Sequence, residues 1–308
     1  MSLFRKSAVG MEITPFGVKA VLLHGRRAMP MLDRYNSTPF QTEVIKCSLR
    51  ELNIVDQAAF VVATRECFNS LLSGQSRVSV SLPDQSGRVL LVDLESSFKT
   101  KQEGIDLIRW KLKKSLPFPI QDAHLDFVFI EEKVTGELSV LVSCISQSIL
   151  QQYEDLLVQA GLEPYQIDFS SFNLFQLFAP RFTLGERKAF ISWFGGVLSM
   201  LVFHEGKMYF CRTKEIFGDR MDVNRIYREI NSSLLVYRTK NPGFTLQDVF
   251  CFSTLEDSEA FTTVVGEATG IEPFQLDIAK ALELGETKPD RFALVNLAAA
   301  TGAAVRTL

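Results

Sequence analysis

The chain is predicted to fold as a two-lobed α/β protein, and three observations point there. A strand–turn–strand segment opens the chain at 9–23, VGMEITPFGVKAVLL, and a variant returns about half a chain later at 189–203, AFISWFGGVLSMLVF. Both carry glycine at the turn, where the missing Cβ lets backbone come close to a group such as a phosphate; glycine between two apolar runs also marks an ordinary hairpin. The 308 residues exceed what one core usually organises. After each hairpin, strand patterns alternate with helical spacings, which is the mark of mixed layers.

In chain order, the first lobe opens with strands at 8–13 and 17–23. Residues 29–39 read as irregular, punctuated by Pro30 and Pro39, and 42–49 as a short strand or turn. A helix fits 57–72, with Gly74 as its stop. RVSVSL at 77–82 alternates as a strand and Pro83 ends it. A strand at 88–94 precedes the best-marked helix, which starts with a T-x-x-E capping box at Thr100 and Glu103. Ile105, Ile108, Leu112 and Leu116 share one face of it. Lys111, Lys113 and Lys114 sit in its last turns, where the helix dipole favours cations, and Pro117 and Pro119 stop it. Strands at 124–132 and 137–144 meet at a turn through Thr135 and Gly136. A helix at 148–160 ends at Gly161, a strand covers 165–169 and a helix 171–178. Residues 180–187 read as the linker. The second lobe then has its hairpin and a helix at 222–238 with Val223, Ile226, Ile230, Leu234 and Tyr237 on one face. A turn at Asn241-Pro242-Gly243, a strand at 248–253, a helix at 256–269 and a short strand or loop at 271–276 follow. The closing helix, 289–305, is rich in small residues; its alanines and Gly302 permit a neighbour to come close.

Composition narrows the function. Apolar residues make up 46% and charged residues 22%, as in a globular protein. The net charge of −3 leaves no basic surplus for nucleic acid. The five cysteines, Cys47, Cys67, Cys144, Cys211 and Cys251, are odd in number, far apart and never in C-x-x-C spacing, which fits buried thiols in a reducing compartment. No apolar run approaches the roughly 18–20 residues of a membrane span, and MSLFRKSAVG does not read as a signal peptide. A cytoplasmic location is expected. His24, His124 and His204 stand isolated, and no G-x-S-x-G, H-E-x-x-H or P-loop occurs.

Six segments in order carry a resemblance: the opening hairpin; IRWKLKKSLPFPIQDAHLDF at 108–127; ILQQYEDLLVQAGLEPYQIDF at 149–169; HEGKMYFCRTKEIFG at 204–218; EINSSLLVY at 229–237; and the tail ALVNLAAATGAAVR. Together they resemble the PilM family, the cytoplasmic actin-like proteins of type IV pilus assembly, and more distantly the cell-division protein FtsA. The resemblance implies a two-lobed actin-like (ribonuclease H-like) fold with an FtsA/PilM-type inserted subdomain. The first lobe would comprise 1–83, 166–184 and 290–308, the insert 84–165 and the second lobe 185–289. It also implies a binding role. A groove beside the insert would hold the N-terminal cytoplasmic tail of a PilN-like inner-membrane protein, keeping the chain at the membrane through that partner.

The same resemblance names candidate residues. If a nucleotide binds, Thr14, Lys19, Gly195, Gly196, Ser199 and Ser253 would meet it, and Glu12 would face its metal. The family pattern is altered at each loop. Glu12 stands for an aspartate, Thr14 for a glycine, and Pro15 removes a backbone donor. Trp193 replaces an acidic or amide position that would orient metal-bound water, and 251–254, CFST, lacks the two glycines of the adenosine segment. Trp193 and Phe194 are expected to fill the cleft. ATP and Mg²⁺ are therefore not expected as cofactors. The candidate partner residues are Phe118, Asp122, Asp126 and Phe127; the two aspartates read equally as turn chemistry and a strand-face charge. The expected function is a non-enzymatic adaptor. The alternative is a Mg·ATP-binding actin-like ATPase whose nucleotide state regulates assembly. A third reading is a subunit of a related system, such as type II secretion or an MSHA-type pilus, whose members share the fold and often show similar motif decay; self-association is left open.

Overall fold

The computed structural model describes residues 6–183, 185, 187–216, 221–243, 245–254 and 256–308. Residues 1–5, Leu184 and Glu186 of the expected linker, and Phe217 and Gly218 of the 204–218 motif lie outside the described residues. The chain begins with β1 (Ser7–Thr14), β2 (Gly17–Arg26) and β3 (Met29–Pro39), then α1 (Gln57–Asn69) and β4 (Arg77–Leu82). Next come β5 (Gly87–Leu94), α2 (Lys101–Leu112), β6 (Ala123–Glu132), β7 (Leu138–Ser146) and α3 (Gln147–Gln159). β8 (Glu163–Phe169) and α4 (Ser170–Phe178) lead to β9 (Lys188–Phe194), β10 (Val197–His204) and β11 (Lys207–Glu215). The chain continues with α5 (Val223–Lys240), β12 (Asp248–Ser253), α6 (Ser258–Thr269), β13 (Phe274–Gln275), β14 (Glu283–Leu284), α7 (Arg291–Asn296) and α8 (Ala298–Val305).

The described residues form three sheets. A six-stranded sheet runs β14-β3-β2-β1-β4-β8, a five-stranded sheet β11-β10-β9-β12-β13, and a small one β5-β7-β6. β1, β4 and β8 lie parallel, so their C-terminal ends open on the same side. α8 packs on β1 where Gly10 lets it in: a Cβ there would stand 2.0 Å from the Ala300 carbonyl oxygen. α2 covers the small sheet with Ile108 and Leu112, as its spacing requires. The capping box at its start forms, with the Glu103 N–H bonded to Thr100 Oγ1 at 3.2 Å and the Thr100 N–H to Glu103 Oε2 at 3.4 Å.

Several expectations are corrected. Residues 29–39 are a strand, not irregular; Pro30 and Pro39 sit at its ends, where a missing N–H costs little. The closing helix is two, divided at buried Leu297, and the bend lays the small residues of α8 between β1 and α4. Around 180–187, Phe182 is buried and packs against rings from both lobes, so that stretch is no free linker. α3, inside the insert range 84–165 by sequence, buries Ile149, Tyr153 and Leu157 in the core of the six-stranded sheet. β14, inside the range 185–289, pairs with β3 of the first sheet.

The five cysteines are free, and burial pushes the Cys47 and Cys67 thiols up to about 11, which keeps them protonated and unreactive at neutral pH. Among the described residues no helix is long and apolar enough to cross a membrane.

Candidate functional site

Two places bring candidate residues together: the cleft between the lobes and a groove beside the small sheet. In parallel α/β sheets, ligands gather at the carboxyl ends of strands. There the structure collects Glu12 of β1, Asp84 just after β4 and Asp168 of β8. Each carboxylate already has a partner. Glu12, buried, accepts from Lys19 Nζ at 3.1 Å; burial raises its pKa and the Lys19 ammonium opposes that rise. Asp84 accepts from the Ser171 N–H at 3.0 Å. Asp168 pairs with Arg306 and caps the Phe169 N–H at 2.8 Å. Among the described residues, no three of His, Cys, Asp and Glu converge on a metal-sized site.

The first turn closes on itself. Thr14 Oγ1 donates to the Gly17 carbonyl at 2.9 Å and accepts the Phe16 N–H at 3.2 Å. Gly17 is needed for packing, since a Cβ there would stand 2.5 Å from the Thr38 carbonyl oxygen. Phe16 stands at the tip with 82% of its surface exposed. Lys19, besides binding Glu12, lies 5.6 Å over the Phe194 ring of β9 and so links the lobes. Gly195 and Gly196 form an open turn, both at positive φ (58° and 75°) with nothing near a would-be Cβ. Ser199 lies inside β10 on the same sheet face as Phe194, but it is fully buried, and its hydroxyl has no partner among the described residues. Ser253 Oγ bonds the Thr254 carbonyl at 3.1 Å. Phe194 faces the cleft as expected, but Trp193 points the other way, as strand alternation dictates. Its Nε1 donates to Asp257 at 3.2 Å, and Thr254 Oγ1 bonds the same oxygen, which pins the loop after β12.

Asp84 carries a pH dependence. Burial pushes its carboxyl up to about 7; the Ser171 hydrogen bonds pull it down, and the Asp168 and Glu12 carboxylates add to the rise. In the unfolded chain it titrates near its ordinary 3.8. The fold therefore keeps a proton that the unfolded chain releases. The resulting cost is absent at pH below 3.8, grows as pH rises, and is complete above about 7. Because the side chain keeps some solvent contact, that cost is about 2 kcal/mol. Asp84→Asn still accepts the Ser171 N–H. It is expected to stabilise the fold by about that amount at alkaline pH, with a much smaller gain at acidic pH, in urea titrations. Equal gains at both would locate the effect elsewhere.

The groove measures about 770 Å³. The loop after α2 supplies Phe118, Gln121 and Asp122; the start of α3 supplies Gln147 and Gln151; Arg50 closes one side. Pro117 and Pro119 hold that loop open at the end of α2. Of the four candidate partner residues, Phe118 and Asp122 meet here. Asp126 and Phe127 do not line the groove: Asp126 pairs with Lys101 at 2.7 Å, and Phe127 packs edge-on to Phe98 at 5.4 Å under α2, where Gly104 makes room. Arg50, Gln147 and Gln151 were missed, being polar residues in unrelated segments with no local pattern.

A family model described as type IV pilus assembly protein PilM matches residues 10–234. No curated protein sequence matches the chain. Among solved structures, a PilM–PilN type IV pilus biogenesis complex superposes with a TM-score of 0.77 at 17% identity, covering 99% of either chain. The cytoplasmic domain of EpsL, an inner-membrane component of the Vibrio cholerae type II secretion system, matches at 0.53 and 11% identity, covering 98% of this chain and 95% of that one. A Bacteroides thetaiotaomicron protein with an actin-like ATPase fold and unknown function matches at 0.52 and 15%, covering 90% and 94%. The fold is thus the actin-like one expected from the sequence.

Proposed function

The chain belongs to the PilM family of type IV pilus assembly proteins, and from that premise we propose that it is a cytoplasmic adaptor that works through the groove of its insert. The ligand is the N-terminal cytoplasmic tail of a PilN-like inner-membrane protein, which keeps the chain peripheral at that membrane. The observation that carries this reading is the groove itself, open and lined by Phe118, Asp122 and the polar start of α3. An extended tail suits such a surface, with an apolar anchor against Phe118 and a basic residue near Asp122.

The cleft, by contrast, does not fit Mg·ATP. Pro15 has no N–H to offer, the Phe16 N–H is taken by Thr14, Lys19 is held by Glu12, and Ser199 is buried. In-line phosphoryl transfer needs a metal and an oriented water, and on β9 the side chain turned to the cleft beside Lys19 is the Phe194 ring, which can orient neither. The adaptor role is therefore read as non-enzymatic. Gly195 and Gly196 are the feature that favours the alternative, since nothing crowds their turn and, with no Cβ, phosphate could come close to its backbone.

Calorimetry separates the two. Titration with a synthetic tail peptide of the PilN-like protein from the same pilus system is expected to give binding that Phe118→Ala weakens at least tenfold, with Glu12→Gln neutral. Mg·ATP is expected to give no heat up to millimolar concentration. Peptide binding untouched by Phe118→Ala, or micromolar Mg·ATP binding, would overturn the respective half of this proposal.

A further inference from the structure

The turn that ends α2 brings an exposed aromatic ring and two cations together. Trp110 lies on the outward face of that helix with 73% of its surface exposed, while Ile108 and Leu112 face the core. Lys113 and Lys114 follow at the i+3 and i+4 positions, on the same side and exposed. Their neighbours are neutralised: Lys111 pairs with Glu95 at 3.0 Å and Arg109 with Asp106 at 3.8 Å. Lys113 and Lys114 make no ion pair with any described residue. An exposed indole beside two uncompensated ammonium groups is the combination that suits a lipid headgroup layer, where an amphipathic ring sits among phosphates.

We propose that the Trp110–Lys113–Lys114 turn is a direct contact site for the anionic phospholipid surface of the membrane. The charge complementarity is explicit, two free cations for headgroup phosphates, with the indole as the apolar component. One ring and two charges make a weak, reversible contact rather than an anchor, since stable attachment takes larger signals. Its use is orientation. The groove begins at Pro117, three residues beyond Lys114. With this turn on the lipid, the groove is held close to the membrane surface from which a membrane-bound tail emerges. The orienting role rests on the proposed function; the lipid chemistry does not.

The test uses the full chain and vesicles without any peptide. The probes are phosphatidylcholine vesicles with and without phosphatidylglycerol, and the same mixtures with brominated acyl chains. The protein has two tryptophans, and Trp193 is buried and bonded to Asp257, so bromine quenching reports on Trp110. Quenching and co-sedimentation are expected with anionic vesicles only, and both fade at raised salt. Lys113→Gln with Lys114→Gln lowers the partition coefficient roughly twenty-five-fold, from about fivefold per lysine, and Trp110→Ser abolishes sedimentation with circular dichroism unchanged. No association with anionic vesicles, or equal association by the double lysine variant, overturns the proposal. An acidic protein as the true occupant would give the first of these results. Tail-peptide titration without lipid reports on the groove alone, so either idea can fail while the other stands.

Discussion

Replacing Gly302 by valine is expected to unfold most of the population at physiological temperature, and Gly302→Ala to cost about 3 kcal/mol or more. Gly302 lies in the middle of α8 where that helix crosses α4. A Cβ built there would stand 1.7 Å from the Asn173 carbonyl oxygen and 2.5 Å from its carbonyl carbon. Both are backbone atoms of a buried helix, so no rotamer change relieves the clash. The helices must separate, and α8 is also held from beneath by β1 through Gly10. Against a total stability of about 5–15 kcal/mol, losing that contact is a large fraction. The control is Gly74→Ala, whose Cβ meets nothing within 4 Å; it is expected to be neutral or slightly stabilising. Urea midpoints for the two alanine variants decide it, and similar midpoints would mean that α8 is not closely seated.

That crossing was legible in the sequence, because a run of alanine and glycine has little other use in a buried helix than close approach. The capping box at Thr100 and Glu103 was legible for the same reason: its chemistry is local. The Glu12–Lys19 pair was half legible. A tight turn from Thr14 to Gly17 fixes an antiparallel register in which Glu12 faces Lys19, yet read singly the two are a cleft-edge carboxylate and an exposed strand charge, or ligands only if a nucleotide binds. The expectation that Trp193 and Phe194 both fill the cleft fails for Trp193, because adjacent residues of a strand face opposite sides. Phe127 was hidden by its need to fill the space over Gly104, which depends on where α2 lies on the small sheet. Arg50, Gln147 and Asp84 were out of reach because their partners come from segments far along the chain, and no local pattern encodes such a meeting.

Phe182→Ala is expected to cost about 4 kcal/mol and to loosen the lobes from each other. Phe182 sits where a free linker was expected, yet its ring lies 5.4 Å from Phe175 of α4, 5.8 Å from Phe190 of β9, 5.2 Å from Phe203 of β10 and 5.2 Å from Phe250 of β12. One ring of the connection thus touches a helix of the first lobe and three strands of the second. Phe175 stacks on Phe203 at 4.7 Å and extends the same cluster. Removing Phe182 leaves a cavity at the junction that neither sheet can collapse to fill, since both are tied by their own ladders. The specific sign is a loss of coincidence. Hydrogen exchange should rise together in α4 and β9, and unfolding followed by two probes, one in either lobe, should separate into two transitions. Phe182→Leu, which keeps most of the volume, should cost about 1 kcal/mol and keep the transitions together. A loss below 1 kcal/mol for the alanine variant would mean that the segment is a compliant hinge after all. The distinction bears on function, because a clamp that opens and shuts on a ligand needs a hinge able to turn. A connection whose ring is held by four others resists turning, and this favours a chain that works as a rigid platform for its partner.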